Sequence, residues 1–126
     1  MKLKDLTPSE TIVMKCIWDS DHEMSLSEIL ALANEYHDKD WKSQTVSTFL
    51  TKLVQKDYLK LKRNGKIYTY EVLISEEDYR NKQANEFVSF WNNGSIGQFL
   101  SAFYGNRKVK KEELEELKNI IDDLDK

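Results

Sequence analysis

The stretch Trp41-Lys-Ser-Gln-Thr-Val-Ser-Thr-Phe-Leu-Thr-Lys-Leu53, followed shortly by Leu59-Lys-Leu-Lys-Arg-Asn-Gly-Lys-Ile-Tyr-Thr-Tyr70, changes its hydrophobic period midway. From about Ser43 to Lys56 the spacing is helical: Val46, Phe49, Leu50 and Leu53 share one arc, and Gln44, Thr48, Thr51 and Gln55 lie opposite. From Leu59 the alternation has a period of two. It is interrupted at Asn64-Gly65, two residues that tolerate positive φ, which predicts a hairpin closed by a type I′ turn. That closure sets Arg63 opposite Lys66, Lys62 opposite Ile67, Leu61 opposite Tyr68 and Leu59 opposite Tyr70. Leu59, Leu61, Tyr68, Tyr70 and Val72 then share a buried face. Lys60, Lys62, Thr69 and Glu71 face water, and Arg63, Asn64 and Lys66 crowd the tip.

The outer face of this helix is polar yet nearly free of charge. A solvated face ordinarily carries Glu and Lys, whereas short hydroxyl and amide side chains suit base edges: Gln bidentate to adenine, a Thr methyl beside the thymine methyl. Gln44, Thr45, Ser47, Thr48 and Thr51 are the candidate base-reading residues. Lys42, Ser43, Lys52, Lys62, Arg63, Asn64 and Lys66 are the candidate phosphate contacts, which position the protein on the duplex without reading sequence.

The net charge of −3 opposes this reading until it is divided along the chain. Residues 1–38 hold 3 Lys+Arg against 8 Asp+Glu, residues 39–70 hold 8 against 2, and residues 71–126 hold 8 against 12. The positive excess coincides with the polar helix and hairpin, the local patch that counterion release requires.

At 126 residues the chain makes one or two small domains. No apolar run approaches the roughly 20 residues that cross a bilayer, and Met1 to Pro8 lack a hydrophobic signal core, so a cytoplasmic protein without membrane insertion is expected. One cysteine excludes an intramolecular disulfide.

Thr7-Pro-Ser-Glu10 is a capping box with proline at the first helical position, opening a helix at Pro8 whose apolar positions are Ile12, Val13, Cys16 and Ile17. The polar run Asp19 to Glu23 ends it. Ser25-Leu-Ser-Glu28 is a second capping box, followed by Ile29, Leu30, Leu32, Ala33 and Tyr36. Beyond the hairpin, Ser75 caps a helix carrying Tyr79, Phe87, Val88, Phe90 and Trp91, which Asn92-Asn-Gly94 stops. Ser95 to Tyr104 carries Ile96, Phe99, Leu100 and Phe103, and a charged helix from about Lys110 carries Leu114, Leu117, Ile120, Ile121 and Leu124. The expected architecture is mainly α with a small β-hairpin wing: a winged helix-turn-helix head over residues 1–74 and a helical dimerisation region over 75–126. The second part is too thin for a core of its own. Phe87, Phe90, Trp91, Phe99, Leu100, Phe103, Leu114, Leu117 and Ile121 are its candidate dimer contacts, since pairing with a second copy also aligns two reader helices about one dyad.

The chain resembles the penicillinase-repressor family of bacterial transcription regulators, often called BlaI/MecI/CopY. The resemblance spans nearly the whole chain and rests on Leu6-Thr-Pro-Ser-Glu-Thr-Ile-Val-Met-Lys-Cys-Ile-Trp18, Asp40 to Leu53, Lys56-Asp-Tyr-Leu59, Lys66-Ile-Tyr-Thr-Tyr70 and Glu112-Glu-Leu-Glu-Glu-Leu-Lys118. It implies a dimeric repressor of promoter dyads with TACA and TGTA half-sites, relieved by an effector or by cleavage triggered through a membrane sensor metalloprotease. Three departures narrow it. The copper-responsive branch carries carboxy-terminal cysteines, and this chain has only Cys16. The third helix of the antibiotic-resistance branch commonly opens Pro-Lys-Thr-Ile-Arg-Thr, against Ser43-Gln-Thr-Val-Ser-Thr48 here, so Thr45 and Thr48 match while two basic positions become Gln44 and Ser47. The branch's Asn-Phe cleavage site corresponds to Ala102-Phe103.

Catalytic chemistry is not expected. Cys16 reads as apolar filler, His22 and His37 lack zinc spacing, the Glu112 to Glu116 run reads as a solvated face, and no phosphate-cradling glycine loop occurs. No metal or cofactor is expected. The sequence reads as a homodimeric repressor of double-stranded DNA, the alternative being a winged-helix protein-interaction module; apolar side chains exposed on the third helix would mark the latter.

Overall fold

A computed structural model describes residues 3–126; the reading of the extreme amino terminus therefore falls partly on Met1 and Lys2, outside the described residues. The order is α1 (Pro8–Trp18), α2 (Leu26–Tyr36), α3 (Ser43–Gln55), β1 (Leu59–Asn64), β2 (Ile67–Val72), α4 (Glu76–Asn92), α5 (Ile96–Tyr104) and α6 (Lys111–Leu124). Both capping boxes form. The Thr7 hydroxyl accepts from the Glu10 N–H while the Glu10 carboxylate accepts from the Thr7 N–H, and Ser25 and Glu28 do the same at α2. Ser75 accepts from the Asp78 N–H at the start of α4, and Asn93 and Gly94, at φ 52° and 80°, end it.

Helices α1, α2 and α3 pack mutually around Val13, Met14, Ile17, Ile29, Val46, Leu50 and Leu53, all buried, with Met24, Tyr58 and Leu59 closing the cluster. The start of α4 joins this core. Tyr79 is buried against Trp18 and Tyr58 with ring centroids 5.4 and 5.9 Å apart, and the Trp18 indole N–H donates to the Ile74 carbonyl at 2.9 Å. Compact packing accordingly divides the chain within α4, one unit running through Gln83 and the other from Ala84. Fully burying each aliphatic side chain of such a core stabilises by about 1.5–3 kcal/mol.

The hairpin differs from expectation in register. Leu59 pairs with Val72, Leu61 with Tyr70, Arg63 with Tyr68 and Asn64 with Ile67, so the two-residue loop is Gly65-Lys66 rather than Asn64-Gly65. Of these only Gly65 takes a positive φ, 68°, the requirement of a type II′ turn, whose first central residue alone must be left-handed. A shift of two residues leaves each side chain on its face, because the side-chain period is also two. The buried face is the second correction. Leu59 is buried and Tyr70 half-buried, but Leu61, Tyr68 and Val72 are 45, 49 and 38% exposed. The base of the two-stranded sheet meets the rest of the head, where the Tyr70 N–H donates to the Met24 carbonyl at 3.0 Å; among the described residues nothing buries Leu61, Tyr68 or Val72. Tyr36, expected on the apolar side of α2, is 70% exposed at the last residue of the helix, about one turn past Ala33, the last buried position of α2.

Among the described residues Glu10 is the one charged side chain sealed in the head, 1% exposed. Its carboxylate receives the Lys56 ammonium at 2.6 Å and the Thr7 N–H at 2.9 Å. Burial pushes the carboxyl pKa up, but the Lys56 and Thr7 hydrogen bonds outweigh it and hold the group below its ordinary value. A depressed carboxylate stabilises the fold above the unfolded pKa and loses that contribution as pH falls through the folded value. Lys56→Met should cost on the order of 3 kcal/mol at pH 7 by stranding a buried charge, and the deficit should be smaller at pH 3, because it shrinks as falling pH favours the neutral Glu10 carboxyl. Urea unfolding followed by circular dichroism at both pH values checks this; an equal deficit at both would remove the ion pair from the stability of the head.

Candidate nucleic-acid interface

Helix α3 turns Val46, Leu50 and Leu53 into the core, which leaves its opposite face outward by geometry alone. Gln44, Thr48, Thr51 and Gln55 are all exposed on that face. Thr45 and Ser47 flank it half-buried, and Lys52 stands exposed beside it. The Thr48 hydroxyl donates to the Gln44 carbonyl at 3.0 Å and the Thr51 hydroxyl to the Ser47 carbonyl at 2.9 Å. Each hydroxyl proton is thereby committed to the helix, so both threonines offer a methyl group and an acceptor oxygen outward. That pair matches a thymine methyl next to an adenine or cytosine amine. Large apolar side chains are absent from the outward face.

Both ends of α3 are pinned by polar contacts. At the carboxy end Lys56 reaches Glu10 and also donates to the Asp5 carbonyl at 2.8 Å. At the amino end the Asn34 carboxamide bonds both backbone groups of Trp41, accepting from its N–H at 2.9 Å and donating to its carbonyl at 3.1 Å. The Trp41 ring then packs edge-on to Phe49 at 5.0 Å. Neither Asn34 nor Glu10 was singled out from sequence for this role. A polar residue inside the apolar run of α2 is the one signal that marked Asn34. Lys42 caps α3 without a side-chain bond, so the first-turn N–H groups beside Ser43 are open to an anion at the positive end of the helix.

The hairpin brings the other candidates to its tip, with one exception. Arg63 lies over the Tyr68 ring at 5.7 Å and its Nε donates to the Gly65 carbonyl at 2.9 Å, which holds the guanidinium at the turn. Asn64 and Lys66 are exposed alongside. Lys62 instead bends back to Glu23 at 3.1 Å, tying the hairpin to the α1–α2 loop; a phosphate would have to compete for it.

The unit from Ala84 onward is different in kind. Its rings form a chain, Phe90 on Trp91 at 4.8 Å, Phe87 on Phe99 at 5.9 Å and Phe99 on Phe103 at 6.2 Å, and the Tyr104 hydroxyl donates to Glu113 at 3.1 Å. Yet Phe90 and Trp91 remain 70 and 67% exposed, and Phe87, Phe103, Leu114 and Ile121 are exposed too; Phe99, Leu100 and Leu117 are half-buried. Ala102 and Phe103 fall within α5 and face outward. Arg107 donates to the Phe103 carbonyl and lies over its ring at 5.4 Å.

Other chemistry has little footing among the described residues. Cys16 is buried, and desolvation pushes its thiol pKa up, away from the reactive thiolate. No group of three or more His, Cys, Asp or Glu side chains is placed to hold a metal ion, and no helix is long and apolar enough to cross a membrane.

Comparison with known proteins bears on this arrangement. The family model described as penicillinase repressor matches residues 6–123. A penicillinase repressor of Staphylococcus aureus is 29% identical over 125 residues, covering 99% of this chain and 97% of its own. The methicillin resistance regulatory protein MecI of Staphylococcus aureus strain N315 is 27% identical over 120 residues, covering 95% of each. Among solved structures, the monomeric form of Bacillus licheniformis BlaI in complex with the blaP half-operator matches 62% of this chain and 92% of its own, with TM-score 0.52 and 27% identity. The winged-helix head, the order of its elements and these matches agree: the chain belongs to the penicillinase repressor family, whose members are repressors rather than enzymes.

Proposed function

We propose that this protein is a homodimeric, cytoplasmic transcriptional repressor that binds a dyad-symmetric operator in double-stranded DNA. Helix α3 enters the major groove and reads bases through Gln44, Thr48 and Thr51, with Thr45 and Ser47 at its flanks. Lys42, Ser43, Lys52, Arg63, Asn64 and Lys66 bind phosphates, and Lys62 joins them when it leaves Glu23. The observation that carries this reading is the exposed, uncharged polar face of α3 inside the most basic segment of an otherwise acidic chain. The BlaI relative was solved on a half-operator, which supports DNA as the partner. The exposed aromatic side chains of α4 and α5 and the apolar side chains of α6 support dimerisation, since exposed apolar surface of this extent marks a protein contact. Two heads linked in this way gain affinity for paired half-sites through effective concentration. Release comes from an effector or from cleavage near Ala102-Phe103 triggered by a membrane sensor metalloprotease. Because that bond lies inside α5, a protease needs the helix to open locally first.

Selection from random duplexes should enrich a dyad-symmetric site with TACA and TGTA half-sites; recovery of no symmetric site would defeat the specific-repressor reading. Gln44→Ala and Thr48→Ala should each lose about 1–3 kcal/mol of discrimination between cognate and substituted operators. Thr48→Val, which keeps the methyl and loses the acceptor, should fall between wild type and alanine. Arg63→Ala and Lys66→Ala should weaken all duplexes alike and reduce the salt slope by about one unit each in titrations across ionic strength. A wing variant that changed sequence preference while the α3 variants did not would invert the docking.

Truncation after Gln83 should leave a folded head that sediments as a monomer and binds the full operator far more weakly than the intact chain. A stable dimer of the truncated head would move the dimer contacts out of residues 84–126.

A further inference from the structure

The Lys62 ammonium meets the Glu23 carboxylate at 3.1 Å, and the two side chains are 46 and 41% exposed, open to a third group arriving from solvent. Glu23 cannot drift from the wing. Its neighbour Met24 is buried, and the Met24 carbonyl accepts from the Tyr70 N–H at 3.0 Å, a single bridge between the loop and β2. Tyr70 follows Thr69, the cross-strand partner of Lys62, so the pinned backbone holds a carboxylate beside the strand that runs on to Arg63 and Asn64. A carboxylate so placed opposes a surface that binds phosphates. Duplex DNA carries one negative charge per about 1.7 Å of its axis, and a phosphate within reach of the Lys62 ammonium also lies close to Glu23. The exposed ion pair is weak, whereas a lysine on the duplex releases a condensed counterion, so the phosphate takes the lysine. Only the Lys62 side chain has to turn. Glu23 is then left unpaired against the backbone of the duplex.

We propose that Glu23 is a built-in competitor of the DNA phosphate for Lys62, and that it holds the affinity of the protein for duplex DNA below what the wing cations alone would give. The inference rests on the repressor reading and deepens it: α3 sets which sequence is bound, and Glu23 sets how tightly any sequence is held. Phosphates carry no sequence, so the competition weakens operator and unrelated duplex alike and leaves the preference of α3 unchanged. It acts twice, first by occupying Lys62 in the unbound protein and then by repelling the phosphate that displaces it. Of these, only the first depends on the lysine.

A double-mutant cycle on the full-length protein separates the two. Wild type, Glu23→Gln, Lys62→Gln and the double variant are titrated against the selected operator and against an unrelated duplex; both side chains are exposed, so the substitutions leave the core intact. Glu23→Gln should tighten both duplexes by about two- to fivefold, the scale of an exposed ion pair. Lys62→Gln should lower the salt slope by about one unit, and in its background Glu23→Gln should recover well under the full gain, because no lysine is there to release. Glu71→Gln is the control. It removes the same charge from the same wing, opposite Lys60, and its effect should not depend on residue 62. The proposal is overturned if Glu23→Gln binds no tighter than wild type, if its gain is as large without Lys62, if only the operator is tightened, or if Glu71→Gln matches it in size and in dependence on Lys62. Failure of the repressor reading looks different: wild type and Glu23→Gln would then both bind no duplex, and this proposal would fall with it.

Discussion

Helix α3 is held at each end by a hydrogen-bonded group that burial makes expensive to release. Glu10 at its carboxy end would be an unpaired charge in the core without Lys56, and the Asn34 carboxamide at its amino end takes both backbone groups of Trp41. Close packing of Val46, Leu50 and Leu53 fixes which face of α3 turns inward. The directed bonds at two points add a defined donor and acceptor at each end. The outward face of α3 therefore presents Gln44, Thr48 and Thr51 in one orientation, which reading base edges in a groove requires.

The two compact units divide the physical work unequally. The head closes its own core from side chains on α1, α2, α3 and the start of α4, and it leaves polar groups outside. From Ala84 onward the only buried side chain among the described residues is Asn92, whose Oδ1 has no hydrogen-bond partner, while the large aromatics are exposed. Such a surface recovers the hydrophobic term only against another surface. A second copy of the chain, as proposed above, would supply such a surface symmetrically.

The loop from Asp19 to Ser25 links regions that sequence order keeps apart. It ends α1, caps α2, and lends Glu23 and Met24 to the wing.

What the chain declared by itself was the helix starts and the periodic faces. Thr7/Glu10 and Ser25/Glu28 announced two helix starts, Val46, Leu50 and Leu53 announced the inward face of α3, and the alternation from Leu59 announced a hairpin; each signal lies within a few residues of the structure it specifies. The candidate site was legible for the same reason, since residues opposite a buried arc must face outward. Long-range partners were not. Asn-Gly and Gly-Lys both satisfy a two-residue turn, and the register went to the pairing that seats Tyr70 on Met24. Whether Leu61 and Tyr68 are covered depends on a layer that the fold does not supply there, and Lys62 turned to Glu23, 39 residues away. Glu10 and Lys56 lie 46 residues apart with nothing in either neighbourhood to name the other. Periodicity specifies which way a side chain points; only the packed chain decides what it meets.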